Sequence, residues 1–149
     1  MCELYKDEML VIKVGTNEYY GPIKTLYITF YDRIINVFYN GTWYPAKIIG
    51  KCSEKEMLKL YGTIGSKDLI VKCKDGDKSL SDIKRGDMIL FNTIPAKYLP
   101  VLSESDNMIY AGDITETDIT SDWLFGIEIL DINNKYYTLM SGLIVSSHK

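Results

Sequence analysis

Asn40-Gly41 is the sequence feature that most restricts what this chain can fold into. The dipeptide stands between two apolar and aromatic runs, 34–39 and 43–49. Both residues accept the left-handed backbone that the two central positions of a type I′ turn require, and this turn joins antiparallel strands. The sequence therefore predicts a β-hairpin here.

Short apolar runs bounded by turn residues predict more strands after the hairpin. These runs are 57–64, 69–73 and 88–91. Asp75-Gly76 predicts a tight turn between the second and the third of them. Residues 79–85 predict a helical element of at most two turns, which Gly86 ends as a C-terminal glycine does.

The flanking segments also read as strands. Residues 9–14 predict an edge strand, and 19–30 predict a half-buried strand, because Leu26, Ile28 and Phe30 alternate with less apolar residues. Two strands, 123–132 and 135–140, are predicted to form a hairpin around Asn133-Asn134, and 142–145 to form a last strand. The sum is an all-β protein.

Length and charge predict the domain organisation. A chain of 149 residues is most simply one domain, so we predict a single all-β domain over 1–149. Within it, 92–122 is interpreted as an acidic connector, because 103–122 contains six Asp and Glu residues and no Lys or Arg.

Composition excludes several functional classes. A net charge of −3 argues against nucleic-acid binding, which needs a basic surface. Three cysteines without CxxC spacing and a single histidine do not fit the usual zinc frameworks, so no metal or cofactor is expected. Cys52 and Cys73 are interpreted as buried structural residues in a reducing compartment. The absence of an apolar run of about 18 residues argues against a membrane protein and favours the cytoplasm.

The order of elements in 37–91 resembles the Hint (hedgehog/intein) family. The residues that carry the resemblance are Trp43, Pro45, Ala46, Lys59-Leu60-Tyr61, Asp75-Gly76, Leu80, Ile83-Lys84 and Gly86-Asp87-Met88-Ile89. A weaker match covers 123–148, where Tyr136-Tyr137 and 141–145 are similar to the family's C-terminal motif. The resemblance implies a compact multi-stranded Hint-like β fold.

The resemblance also implies a chemistry. Hint domains convert the peptide bond before an N-terminal Cys or Ser into a thioester or ester, assisted by a histidine in a Thr-x-x-His motif. In this chain Cys2 would be the nucleophile and His148 the histidine of the C-terminal motif. However, Lys72-Cys73-Lys74 stands where Thr-x-x-His is expected, and Lys149 follows His148 where inteins have the Asn that cyclises.

These departures favour a non-catalytic protein, a degenerate Hint-like domain that serves as a structural or docking part of a larger assembly or homo-oligomer, such as a phage virion. The alternative is a self-processing Hint or intein domain that acts through Cys2. The side chains predicted to bind a partner are Tyr39, Trp43, Tyr44, Tyr136 and Tyr137, because aromatic residues are typical anchors of protein interfaces. The same aromatics also fit ordinary cross-strand pairs.

Overall fold

A computed structural model describes residues 2–92 and 108–147, and it is built almost entirely of β-strands. The strands are β1 (Met9–Val14), β2 (Asn17–Pro22), β3 (Ile35–Tyr39), β4 (Thr42–Leu60), β5 (Thr63–Ser66), β6 (Ile70–Val71), β7 (Lys78–Ser79), β8 (Met88–Leu90), β9 (Met108–Tyr110), β10 (Thr115–Ile129), β11 (Tyr136–Thr138) and β12 (Ile144–Ser146). The helices are α1 (Ile23–Thr29) and a 3₁₀ helix (Leu80–Asp82). The predicted all-β fold is confirmed.

The largest sheet is organised by β4, a strand of 19 residues. Its strand order is β10-β4-β3-β1-β2, and β5 also pairs with β4. One edge of β4 pairs with β10, while the other edge pairs first with β3 and then, beyond a gap, with β5. β4 therefore joins β10 on one side to β3 and β5 on the other.

A second sheet has the order β11-β12-β6-β7, and β8 pairs with β9. One hydrophobic cluster joins the sheets, and its fully buried members include Ile12, Val37, Ile127, Leu143 and Val145. Because these side chains come from both halves of the sequence, the core forms only when distant strands pack together.

The predicted hairpin at Asn40-Gly41 is confirmed. Asn40 and Gly41 have φ values of 48° and 79° and connect β3 to β4. Tyr61 and Gly62 repeat this geometry, with φ values of 49° and 79°, at the end of β4. The second turn divides the predicted strand 57–64 between β4 and β5.

The predicted strand over 19–30 is wrong in its second half, which forms α1. Ile23, Leu26 and Phe30 are buried, whereas Ile28 is 64% exposed. The buried residues are three and four positions apart, which places them on one face of a helix. The alternation over 26–30 therefore did not indicate a strand. Pro22 precedes the helix, where the lack of an N–H group costs nothing.

Two predicted pairings are also wrong. β1 is an internal strand, since it pairs with both β2 and β3. The hairpin around Asn133-Asn134 does not form, because β10 pairs with β4 whereas β11 pairs with β12. The backbone N–H of Asn133 instead donates to Asp131 Oδ1 at 2.8 Å, in a turn that leads from one sheet to the other.

The segment interpreted as an acidic connector contains β9 and the first part of β10. Residues 93–107 of that segment lie outside the described residues. Within the described ranges, no helix has the length and apolar character needed to cross a membrane.

Candidate active site

The N-terminal segment, defined here as residues 2–8, is held between β5 and β10 by isolated bridges from Leu4 to Gly65 and to Phe125. The N–H of Leu4 donates to the carbonyl of Phe125 at 2.8 Å, and the N–H of Phe125 donates back to Leu4 at 3.0 Å. On the other side, the N–H of Ser66 donates to the carbonyl of Glu3 at 2.8 Å. The backbone next to Cys2 is thus fixed from two sides.

Gly65 permits this close approach. A Cβ atom at Gly65 would lie 2.7 Å from Leu69 Cδ2 and 3.1 Å from the carbonyl oxygen of Glu3. Real Cβ atoms do not come so close to a neighbouring side chain, so a larger residue would push Leu69 or the N-terminal segment away.

The Glu3 carboxylate is anchored by its own contacts. It accepts a hydrogen bond from the Ser66 hydroxyl. Lys55 Nζ lies 3.3 Å from Glu3 Oε2 and 3.3 Å from Asp68 Oδ2. Partial burial lowers the pKa of Lys55, but these two carboxylates raise it more. Together the contacts restrain the residue that follows Cys2.

The Cys2 thiol is partly buried. Burial raises the pKa of Cys2, and this outweighs the opposing effects of the amino-terminal charge, Lys51 and Lys55. The thiol is therefore protonated at neutral pH. Because the thiolate is the nucleophilic form, any attack by Cys2 must include the removal of this proton.

Tyr137 lies in the core, on β11. Its side chain is 1% exposed. Burial raises the pKa of its phenol far above the ordinary value, and Cys2, Glu3 and Glu8 raise it further when they are ionised. Tyr137 was predicted to bind a partner, but this burial removes it from the protein surface in the structure.

Glu8 is a buried acid at the end of the N-terminal segment, with 8% exposure. Its Oε1 accepts a hydrogen bond from the backbone N–H of Ile64 at 2.6 Å. Burial raises the pKa of Glu8, whereas the hydrogen bond from Ile64 lowers it. Burial has the larger effect, so the pKa is raised to about 7. Glu8 can therefore gain or lose a proton near neutral pH.

The remaining aromatic residues of the prediction lie at the β3–β4 hairpin and on β11. Tyr39 is buried, with its ring centroid 5.3 Å from that of Tyr136. Trp43 and Tyr44 are half-buried on β4, and the Trp43 ring packs edge-on against Phe38 at 5.3 Å. Phe38 and Trp43 form the cross-strand pair that neighbouring strands predict, whereas Tyr39 and Tyr136 pack between the two sheets. Binding of a partner by these side chains stays a prediction.

The positions expected for Thr-x-x-His lie in a different environment from that of Cys2. Lys72 Nζ lies 4.2 Å from the ring centroid of Tyr136. The Cys73 thiol is buried, which raises its pKa to about 11, and it lies 3.6 Å from the carbonyl of Val71 as a weak donor. Cys52 is exposed, contrary to the prediction that it is buried. His148 lies outside the described residues.

Solved structures of inteins share this fold over nearly the whole chain. The VidaL intein matches with a TM-score of 0.73 and 15% identity, covering 99% of this chain and 98% of that chain. The transcription factor IIB Mvu mini-intein matches at 0.73 and 13%, covering 98% and 99%. A DnaB intein from Synechocystis sp. matches at 0.72 and 12%, covering 100% of both chains.

At these identities the comparison shows the fold, and the chain has the Hint fold that the sequence resemblance implied. No protein-family model matches the sequence, and no curated protein matches it.

The interpretation as a non-catalytic docking protein is wrong. The structures that share this fold from end to end are inteins, and they favour the autoprocessing alternative. None of them supports a structural or virion role. The earlier interpretation rested on missing family residues, but replacement of individual side chains does not establish that a domain with this fold is inactive.

Proposed function

We propose that this chain is an autoprocessing domain in which the Cys2 thiol attacks the carbonyl carbon of the peptide bond before it. The new C–S bond forms as the C–N bond breaks. The thiol proton ends on the released amino nitrogen of Cys2, so the products are a thioester and a free amine in the same chain. A free thiol can then take over the acyl group and release the upstream segment.

The observation that carries this proposal is the anchoring of the residues after Cys2. Backbone hydrogen bonds from Phe125 and Ser66 fix Leu4 and Glu3 on opposite sides. A nucleophile held in one orientation reacts faster than a free one, because the entropy of alignment is already lost on folding. An ordinary frayed N-terminus would not supply this restraint.

The reaction needs proton transfer, and the chain has one histidine, His148, which lies outside the described residues. Within the described residues, Glu8 is a buried acid of the N-terminal segment whose pKa of about 7 lets it exchange a proton near neutral pH. Proton transfer in the proposed reaction therefore differs from the Thr-x-x-His arrangement of the family.

The first experiment is intact mass spectrometry of the chain fused to a small folded protein at each end, with and without dithiothreitol. We expect dithiothreitol to release the upstream fusion partner, with a break at the bond before Cys2. Cys2→Ala should abolish this release. Cys52→Ala is the matched control, because Cys52 is exposed on β4 and should leave the release rate unchanged.

The outcomes separate the possibilities. An unchanged mass in every sample after prolonged incubation would refute autoprocessing by this chain. Release that persists in Cys2→Ala would show that a different nucleophile or a contaminating protease is responsible, and would equally refute the role of Cys2.

A further inference from the structure

We propose that Glu8 is a positioning residue, whose side-chain oxygen replaces a missing main-chain acceptor opposite Ile64 and so closes the N-terminal segment onto β5. This inference rests on the proposed function and adds a residue to it. Glu8 would act from the far end of the segment, by keeping the backbone bonds between itself and Cys2 closed. It would not contact the reacting atoms.

The first argument is an incomplete pair beside the bridge that joins the N-terminal segment to β5. In an antiparallel ladder, the two residues of a hydrogen-bonded pair exchange two N–H···O bonds. Tyr5 and Ile64 hold such positions, but they make one bond, from the Tyr5 N–H to the Ile64 carbonyl at 3.3 Å. The Tyr5 carbonyl instead accepts the Glu8 N–H at 3.0 Å, in the turn that ends the segment.

The Glu8 side chain supplies the acceptor that this turn removes. Its Oε1 accepts the Ile64 N–H at 2.6 Å. A main-chain N–H that leaves water without an acceptor costs free energy, so this bond favours the closed segment. The Glu8 carbonyl in turn accepts the Ile23 N–H at 2.8 Å. The side chain therefore starts from a fixed backbone.

The second argument is that the donor is fixed as well. Thr63, the residue before the donor, is fully buried, and its Oγ1 lies 2.7 Å from Ser141 Oγ. The Met140 N–H donates to the Met9 carbonyl at 3.0 Å. Each residue in these two contacts is next in the chain to a residue of another contact. Together with the Glu8 bond they close a ring through three separate parts of the chain.

The third argument is the residue type. Glu8 is buried, and burial raises its pKa to about 7, so an ionised carboxylate is disfavoured there. An apolar side chain of similar length, such as methionine, would fill the site without this cost. The need for an acceptor opposite Ile64 accounts for a carboxyl group at this position.

The test compares two substitutions of Glu8 in the double fusion. Glu8→Gln keeps an acceptor oxygen and loses the exchangeable proton, so dithiothreitol-dependent release should continue at the wild-type rate. Glu8→Met keeps the length and loses the acceptor. We expect it to release about 10-fold more slowly, the lower limit for loss of a hydrogen bond to a charged group. Asp7→Met is the matched control, because Asp7 is exposed in the same turn, and it should release at the wild-type rate.

The two Glu8 variants distinguish positioning from proton transfer. Slow release in both Glu8→Gln and Glu8→Met would assign Glu8 to proton transfer and overturn the inference. A wild-type rate in Glu8→Met would overturn it as well. If thermal unfolding shows that Glu8→Met does not fold, Glu8→Asp takes its place, since its carboxylate is one methylene too short to reach the Ile64 N–H. A wild-type rate in Glu8→Asp would then contradict the inference.

Amide hydrogen exchange tests the contact without turnover. In Glu8→Met, the N–H groups of Leu4 and Ser66, which hold the segment to β10 and β5, should exchange about 10-fold faster than in the wild type and in Glu8→Gln. The Leu139 N–H, which donates to the Leu143 carbonyl at 3.0 Å, should exchange at its wild-type rate. Equally faster exchange at Leu139 would indicate a general loss of stability and refute the positioning role.

The exchange rates also separate this inference from the proposed function. If the wild type releases nothing but Leu4 and Ser66 exchange faster in Glu8→Met, the proposed function fails and the closure of the segment by Glu8 stands. If their exchange is unchanged in Glu8→Met, the closure by Glu8 is refuted whether or not release occurs.

Discussion

The surroundings of Cys2 and those of Lys72 are the two places where the Hint resemblance puts chemistry, and they are built differently. Around Cys2, strands β5 and β10 hold the chain, and Lys55 and Ser66 hold the Glu3 carboxylate. Around Lys72, the ammonium lies over the Tyr136 ring, and the Tyr136 hydroxyl donates to Asp77. The first arrangement restrains the backbone beside Cys2, whereas the second holds one aromatic ring between an ammonium group and a carboxylate.

The difference teaches that the two parts of a Hint fold can change independently. The restraint on the residues after Cys2 comes from backbone pairing, which tolerates many side chains. The assisting motif depends on particular side chains, and Lys72-Cys73-Lys74 no longer supplies them. A chain can therefore keep the fold at very low sequence identity while its proton-transfer groups are replaced.

The largest expected effect concerns Glu8. Its folded-state pKa of about 7 lies above the ordinary value of 4.5, so the folded protein binds this proton more tightly than the unfolded chain. The resulting stabilisation is fully present below about pH 4.5 and is lost as pH rises through 7. Over that interval we expect the Glu8 contribution to fall by about 3 kcal/mol.

Urea unfolding at pH 5 and pH 8, for the wild type and for Glu8→Gln, measures this contribution as the difference between their pH dependences. Glu8→Gln removes the titration on the Cys2 side. Asp77→Asn, on the Lys72 side, should show the same pH dependence of the unfolding free energy as the wild type. Equal pH dependences in the wild type and Glu8→Gln would contradict the raised pKa of Glu8. The two regions would then not differ in this respect.

A smaller effect is expected for Gly65→Ala. The added Cβ would press on Leu69 and on the carbonyl of Glu3, at 2.7 Å and 3.1 Å. We expect a loss of about 2 kcal/mol in the free energy of unfolding, a typical cost of overpacking, and a slower release before Cys2. Gly21→Ala is the control, since nothing lies within 4 Å of its added Cβ. Wild-type release in Gly65→Ala would show that the placement of this segment does not limit the reaction.

The smallest effect is expected for Lys72→Met, which keeps a long apolar side chain and removes the charge over the Tyr136 ring. The stability should fall by about 0.5 kcal/mol, the value of an accessible cation–π contact. Release before Cys2 should proceed at the wild-type rate. A release at least 10-fold slower would show that Lys72 has taken over part of the role of the missing histidine, and the contrast between the two regions would no longer hold.

Features fixed by neighbouring residues could be predicted from the sequence. Asn40-Gly41 and Asp75-Gly76 specify their turns through backbone conformation alone, and both have the predicted glycine with positive φ. The resemblance in 37–91 then led to the correct fold. Helix α1 was missed because apolar residues at 26, 28 and 30 fit the alternation of a strand. Only the structure shows that Ile28 is exposed while Leu26 and Phe30 are buried.

Most of the candidate site could not be predicted, because it depends on contacts between distant residues. Nothing in the sequence shows that the backbone of Ile64 donates to Glu8, or that Tyr137 is buried rather than exposed to solvent. The Asn133-Asn134 hairpin failed for the same reason, since the partners of β10 and β11 come from β4 and β12. The family resemblance suggested Cys2 and His148, of which Cys2 lies within the described residues.

The pairing of Leu4 with Phe125 sets a time order for a nascent chain. These residues are more than a hundred positions apart, so Leu4 leaves the ribosome long before its partner exists. At typical rates of synthesis the delay is on the order of ten seconds. Until then, the segment that carries Cys2 can pair with β5 but not with β10. Under the proposed function, a polypeptide fused upstream would have this interval in which to fold before the bond before Cys2 can react.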